Sequence, residues 1–275
     1  VSIIFAVLVI YLTYIIGIKL FSKKIALLAS FFTAFSYNFL FFSPSILTGI
    51  PSTFFVLFAF YFFLNNRFFL MGIFSGISVM TRFFQVFTLI GFGLVFLIYF
   101  SRKPNFTKKL IYAVEGISII ILPYLLFNSY VYDDIFLPFK VQAHLTKTTG
   151  WTQYQEYGFY FTGLLKENFF LAFLFFLPLF FKKNYKFFAL VLIPSIYILI
   201  FSFVQHKEMR FMLAILPFLY LLTSFCIFQI YDKLKNKKIT LGLFSIAVAI
   251  WLGISFTALI GAISHSQDSE GLLFM

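Results

Sequence analysis

Residues Gln205–Phe211 read QHKEMRF and stand between the apolar runs LVLIPSIYILIFSFV and MLAILPFLYLL. His206, Lys207, Glu208 and Arg210 fall within five positions, with side chains suited to binding or proton transfer. On a helix beginning near residue 206, His206 and Arg210 lie one turn apart on one face. Lys207 and Arg210 are neighbours there by i,i+3 spacing. A helix start also offers free backbone N–H groups, so the segment makes a compact site for an anion. A phosphate suits it: Arg presents a planar fork to two oxygens, and Lys a mobile point charge. Glu208 then either holds the Arg in place or accepts hydrogen bonds from hydroxyls. His206 either donates to a phosphate oxygen or shuttles a proton. The same residues also fit an interfacial turn whose charged ends simply reach water.

The elements that carry this segment belong to a membrane. The chain has 275 residues, of which 62% are hydrophobic and only 11% charged. A soluble domain carries about 25% charged residues. Apolar runs of roughly 18–20 residues indicate spanning helices, which satisfy their own backbone in lipid. The runs are 1–20, 25–43, 46–64, 68–81, 83–100, 110–128, 166–181, 186–205, 211–231 and 239–263. They predict an all-α polytopic membrane protein with about ten crossings, forming one transmembrane domain over residues 1–275. The 47 Phe residues read as generic lipid-facing side chains. Gly72 and Gly76 form a G-x-x-x-G pattern that marks close helix packing.

Charge gives the expected sidedness. The loops at Lys23-Lys24, Arg67, Arg102 through Lys109, Lys182 through Lys186 and Lys233 through Lys238 hold 14 of the 21 basic residues. With ten crossings all of them lie on one face, the cytoplasmic one. This pattern explains the net charge of +12 better than nucleic-acid binding does. It also places Arg82 near the outer surface, in a break between segments 68–81 and 83–100. Seven of the nine acids then collect outside, among them Asp133, Asp134, Glu156, Glu167 and Glu208, together with His144, His206 and His265. The lone Cys226 allows no disulfide framework. No cofactor or metal cluster is evident in the sequence, which leaves a divalent metal requirement open. The same topology puts Val1 outside, so an upstream helix and outer loop are expected ahead of it.

The long stretch 129–165 is both aromatic and polar. Its Trp151, Tyr154, Tyr157 and Tyr160 suit a loop lying on the bilayer. It equally suits a partly helical cover over an outer cavity, with Asp133, Asp134, His144, Gln153 and Glu156 as candidate sugar or phosphate contacts.

HKEMRF, with Pro217 a few residues on, resembles the HKE-x-RF signature of glycosyltransferase family 22, polytopic mannosyltransferases of the GT-C superfamily. The polar stretch Ser45 through Thr53 and the segment GISVMTR ending at Arg82 are similar to GT-C features. The resemblance implies a GT-C-like fold. It further implies transfer of a sugar, mannose in that family, from a polyprenyl or dolichyl phosphate to a lipid-linked glycan or protein acceptor, with inversion, on the outer face. Arg210, Lys207 and Arg82 would then bind the donor phosphate, with Glu208 and His206 in the catalytic group. His144, Trp151 and Glu156 would belong to the substrate loop. GT-C enzymes carry an acid in the first outer loop, which here would precede Val1, with Asp133 and Asp134 as weaker alternatives. Some GT-C families have a second acid where this chain has Gly49. Two other classes fit a polytopic chain: a transporter or lipid flippase, and a non-catalytic membrane subunit. Transporters commonly show internal repeats and polar groups at mid-membrane. This sequence shows no convincing repeat, and its polar groups lie at one surface.

Overall fold

The computed structural model describes residues 2–44, 47–101, 103–148, 156–180, 184–204, 206–234 and 237–273, and the side chains of these except 142, 143, 145–148, 237 and 262–273. Trp151 and Gln153 lie outside the described residues. All regular elements among the described residues are helical. In chain order they are α1 (Ser2–Leu20), α2 (Lys23–Phe35), α3 (Tyr37–Phe42), α4 (Gly49–Leu64), α5 (Phe68–Thr81) and α6 (Val86–Val95). There follow α7 (Phe106–Tyr132), α8 (Leu137–Thr148), α9 (Phe159–Glu167), α10 (Tyr185–Phe203), α11 (Leu216–Lys233) and α12 (Lys237–Leu273). Stretches of 3₁₀ helix cover Phe83–Gln85, Phe169–Phe180 and Met209–Ala214, and a π-helical turn covers Phe96–Phe100.

Among the described residues five helices are long and apolar enough to cross a membrane: Ser2–Leu20, Phe83–Phe100, Phe106–Tyr132, Tyr185–Phe203 and Lys238–Gly261. The pair Phe159–Glu167 and Phe169–Phe180, bent by 112°, makes a sixth if it forms one span. The expected segments 46–64 and 68–81 are shorter apolar helices, Gly49–Leu64 and Phe68–Thr81. Segment 25–43 is divided into α2 and α3 by Ser36, whose backbone is extended. The break near Arg82 lies where its charge interrupts the apolar pattern. α5 ends at Thr81, and Arg82 is extended before the chain turns into Phe83–Gln85.

α11 is the central helix. Every residue from Leu216 to Ile227 is buried, as expected of a helix apolar on all sides. Pro217 sits in its first turn. That position needs no intrahelical N–H, and the ring disfavours α-helix in the residues just before it. The helix therefore starts at Leu216 rather than near residue 206. The chain enters it through the 3₁₀ stretch Met209–Ala214.

The Phe content does more than face lipid. Phe32, Phe60, Phe63, Phe170, Phe201, Phe218 and Phe225 are fully buried. Phe60 packs on Phe218 with centroids 5.0 Å apart, and Phe21 stacks on Phe225 at 4.9 Å. Aromatic pairs of this kind supply attraction beyond their buried area. They matter most where neighbouring helices gain nothing from excluding water.

Residues of three of the loops lie together: those around Asn65 and Asn66, around Lys103 and Lys109, and around Tyr185. Lys19 Nζ donates to Asn65 Oδ1, and Tyr185 OH donates to Asn66 Oδ1 at 3.1 Å. Lys103 stands over the rings of Phe100 and Tyr185, 5.5 Å from each centroid, and Lys109 lies 5.0 Å over Phe100.

α5 and α7 meet through glycines. A Cβ on Gly72 would overlap the carbonyl oxygen of Ala113, and one on Gly116 that of Phe69. Gly116→Val is therefore expected to destabilise the protein by about 1–3 kcal/mol, the usual cost of forced overpacking. Gly93→Ala, with open space around its Cβ, should be near neutral. Thermal unfolding in detergent compares the two variants directly.

Candidate active site

The motif residues sit where the chain approaches the buried start of α11. Glu208 is extended, at φ −139° and ψ 142°, and precedes the 3₁₀ stretch. His206 and Arg210 thus do not share a helical face. They meet instead through Glu208. His206 Nε2 lies 2.5 Å from Glu208 Oε1. Arg210 Nη2 donates to the same Oε1 at 2.8 Å, and its Nε lies against Oε2 as an ion-pair contact. A hydrogen bond between two ionised groups is stronger than one between neutral groups. The Arg210 side chain is 35% exposed, so its remaining N–H donors are available at the surface of the cluster.

Phe211 is the hub beneath these charges. It is buried and packs against Phe84 at 5.1 Å and Phe201 at 5.3 Å. The Arg82 guanidinium lies 5.1 Å over its ring, and that of Arg210 5.8 Å. The backbone is pinned as well. Arg82 Nη1 donates to the Arg210 carbonyl oxygen at 3.2 Å, and Tyr197 OH to that of Phe211 at 3.1 Å. Arg82, 128 positions earlier in the chain, thus joins the motif. Burial is the main influence on its guanidinium and pulls it below its ordinary value, with neighbouring Arg210 adding to this. Tyr197 and Glu208 oppose the shift.

Two further elements shape the site. Gly49 begins α4 beside Arg82 Nη1, where a Cβ would come within 3.0 Å. Ser52 and Thr53 each donate to the Gly49 carbonyl at 2.8 Å. Gln85 Nε2 donates to Ser52 Oγ at 3.0 Å. The polar opening of α4 is thereby tied to the break that carries Arg82. On the other side α9 brings Tyr160 and Gly163 against Glu208 and Met209. Lys207 is nearly buried, its ammonium 5.7 Å over the Tyr157 ring.

The described residues after α7 include α8 and α9. α8 docks next to Arg82 through Phe139, which packs on Phe83 at 4.8 Å. His144 is exposed on α8, and Glu156 is exposed just ahead of α9. Asp133 ends α7 in the left-handed region at φ 53°. Asp134 accepts from Lys140 Nζ at 2.7 Å and from the Phe136 N–H at 3.0 Å. These bonds hold its carboxyl below the ordinary value and make it a weak base, the Lys140 bond contributing most. No described hydrogen bond or ion pair joins Asp133 or Asp134 to the Arg210 cluster. Among the described residues no group of three His, Cys, Asp or Glu side chains is placed to hold a metal ion.

Tyr197, Tyr160, Gln85 and Glu167 were not singled out as site residues from sequence. Glu167 carried one signal, an acid at the edge of an apolar run whose partners lie far away in the chain.

A model of the Alg9-like mannosyltransferase family matches residues 1–272. The chain belongs to that family. As a member of the Alg9-like family it is also similar in fold to ArnT from Cupriavidus metallidurans. The apo crystal structure of ArnT aligns with a TM-score of 0.67, at 11% identity, over 90% of this chain and 48% of that one. The structure bound to undecaprenyl phosphate gives 0.68, with the same identity and coverage. This chain therefore spans about half the length of ArnT, and at such low identity the likeness speaks for the fold. No curated protein matches the chain.

Proposed function

We propose that the chain acts as a membrane glycosyltransferase that moves a sugar, mannose by family membership, from a polyprenyl phosphate to a hydroxyl of a lipid-linked glycan or protein acceptor. The observation that carries this reading is the convergence of Arg210, Glu208, His206 and Arg82 around Phe211 at the head of the central helix.

In the reaction, the acceptor hydroxyl oxygen attacks the anomeric carbon from the side opposite the phosphate. The bond from that carbon to the phosphate oxygen breaks, and its electron pair leaves with the phosphate, so the configuration inverts. The charge growing on the phosphate is stabilised by Arg210, assisted by Lys207 and Arg82; fixed donors aimed at developing charge are the strongest catalytic device of this kind. Glu208 holds the Arg210 guanidinium and the His206 ring, and His206 donates to a phosphate oxygen. The acceptor proton goes to a carboxylate. Asp133 is the better-placed candidate of the pair after α7, because Asp134 is already bound to Lys140. His144, Trp151 and Glu156 belong to the segment that would cover the acceptor.

The proposed topology counts the shorter apolar helices as crossings, about ten in all. It puts the Lys/Arg loops in the cytoplasm and the Arg210 cluster outside. The gathering of Lys103 and Lys109 around Phe100 and Tyr185 supports this reading.

The test is transfer by the complete protein in membranes supplied with polyprenyl-phosphate mannose and glycolipid acceptors. The expected product has the inverted anomeric configuration. Retained configuration, or no transfer from any polyprenyl-phosphate sugar, overturns the reading.

A further inference from the structure

Glu167 ends α9 and is buried, yet the proposed transfer has no use for it. Its carboxylate accepts from Ser36 Oγ and from Asn38 Nδ2, each at 2.6 Å. Longer bonds come from Tyr220 OH at 3.3 Å and the Asn38 N–H at 3.4 Å. Its backbone carbonyl accepts from Trp251 Nε1 at 3.0 Å. One residue thus joins the break between α2 and α3, the bend after α9, the central helix α11 and the last helix α12. A carboxylate is costly to bury unless its oxygens are hydrogen-bonded. Here the donors come from positions 129 and 131 residues earlier and 53 later.

The elements it joins surround the site. α3, α9 and α11 all pack against the 3₁₀ stretch Met209–Ala214, which carries Arg210. The approach of α9 is close: a Cβ on Gly163 would lie 2.5 Å from Met209 Sδ. Seven residues before Glu167 on the same helix, Tyr160 packs on Phe201, which in turn packs on Phe211. A shift of α9 along or across α11 would therefore be transmitted to the backbone of Arg210.

We propose that Glu167 is a positioning residue for the donor-phosphate site. Its hydrogen bonds clamp α3 and α9 onto the Met209–Ala214 stretch and hold Arg210 at the height the lipid phosphate requires. The kinetic part of this inference rests on the transfer reading; the binding part does not.

Glu167→Gln separates this role from mere stability. The amide keeps an oxygen for Ser36 and Tyr220 but sets an N–H₂ against Asn38 Nδ2. In the complete protein, the Kd for polyprenyl phosphate and the donor KM are each expected to rise about tenfold, within the range that small misplacements cause. kcat and the unfolding temperature should stay near wild type. Adding Asn38→Asp restores a donor facing an acceptor and should recover most of the affinity. In an Arg210→Lys background, Glu167→Gln should add no further loss. Wild-type affinity in Glu167→Gln would overturn the proposal, as would equal weakening with and without Arg210→Lys. If Glu167→Gln does not fold, Tyr220→Phe removes the 3.3 Å bond to Glu167, along with the hydroxyl's contacts to Ser36 and Asn168. That variant should show a smaller rise of Kd; an unchanged Kd would again overturn the proposal. Absence of transfer in wild type would remove the transfer reading, while the polyprenyl-phosphate Kd still decides the role of Glu167.

Discussion

Arg210→Ala is expected to lower sugar transfer on the order of 100- to 1,000-fold, the usual loss when one fixed donor to a developing anion is removed. The geometry makes this the largest single effect. Arg210 is hydrogen-bonded and ion-paired to Glu208 while still over a third exposed. Its side chain is thus oriented before a ligand arrives, and its remaining donors face outward. Arg210→Lys should restore little, because an ammonium cannot bond Glu208 and present a planar set of donors to the phosphate at once. Glu208→Ala should mimic much of the loss by freeing both Arg210 and His206. Initial rates with saturating acceptor and varied donor give the answer. Transfer at wild-type rate in both alanine variants would remove the cluster from the mechanism.

Arg82→Ala is expected to have the second largest effect, and a different signature. Arg82 donates to the Arg210 carbonyl and covers the Phe211 ring. Its removal leaves that carbonyl without its described side-chain donor and loosens the turn that carries the motif. A hydrogen bond from a charged group contributes about 1.5–3 kcal/mol, which corresponds to roughly 10- to 100-fold in donor affinity. Because the bond also holds the backbone, the unfolding temperature should fall with activity. Arg210→Ala removes no such backbone support and should leave the unfolding temperature closer to wild type. Parallel melting curves and donor KM values for the two variants separate these outcomes. If Arg82→Ala alters neither, Arg82 plays no part in holding the site.

The parts of this arrangement that could be read from sequence are those in which chemistry breaks a local pattern. Arg82 interrupts an apolar run, and the chain breaks there. QHKEMRF places four ionisable groups between two apolar runs, and three of them meet in one cluster. Gly72 and Gly76 mark a helix contact, and α7 comes close to α5 at that point. What escaped reading depends on contacts between distant residues. The division of segment 25–43 at Ser36 is stabilised by Glu167, 131 positions away, and neither residue alone signals a break. The helical start expected near residue 206 ignored Pro217, which moves the α-helix to Leu216 and leaves the motif on extended and 3₁₀ backbone. That shift changes the site. Glu208, rather than a shared helical face, brings His206 and Arg210 together. The aromatic abundance likewise gave no hint of which rings fill the interior, because every apolar run offers Phe on all sides.

The central claim is that the Arg210 cluster binds the phosphate of a lipid carrier. Equilibrium binding of polyprenyl phosphate and of the unphosphorylated polyprenol to the purified complete protein tests it most directly. The account predicts that wild type prefers the phosphate by at least about 100-fold, the lower bound for two charge-assisted hydrogen bonds, and that Arg210→Ala abolishes the preference. Equal affinity for the two lipids, or an unchanged preference in Arg210→Ala, would contradict it.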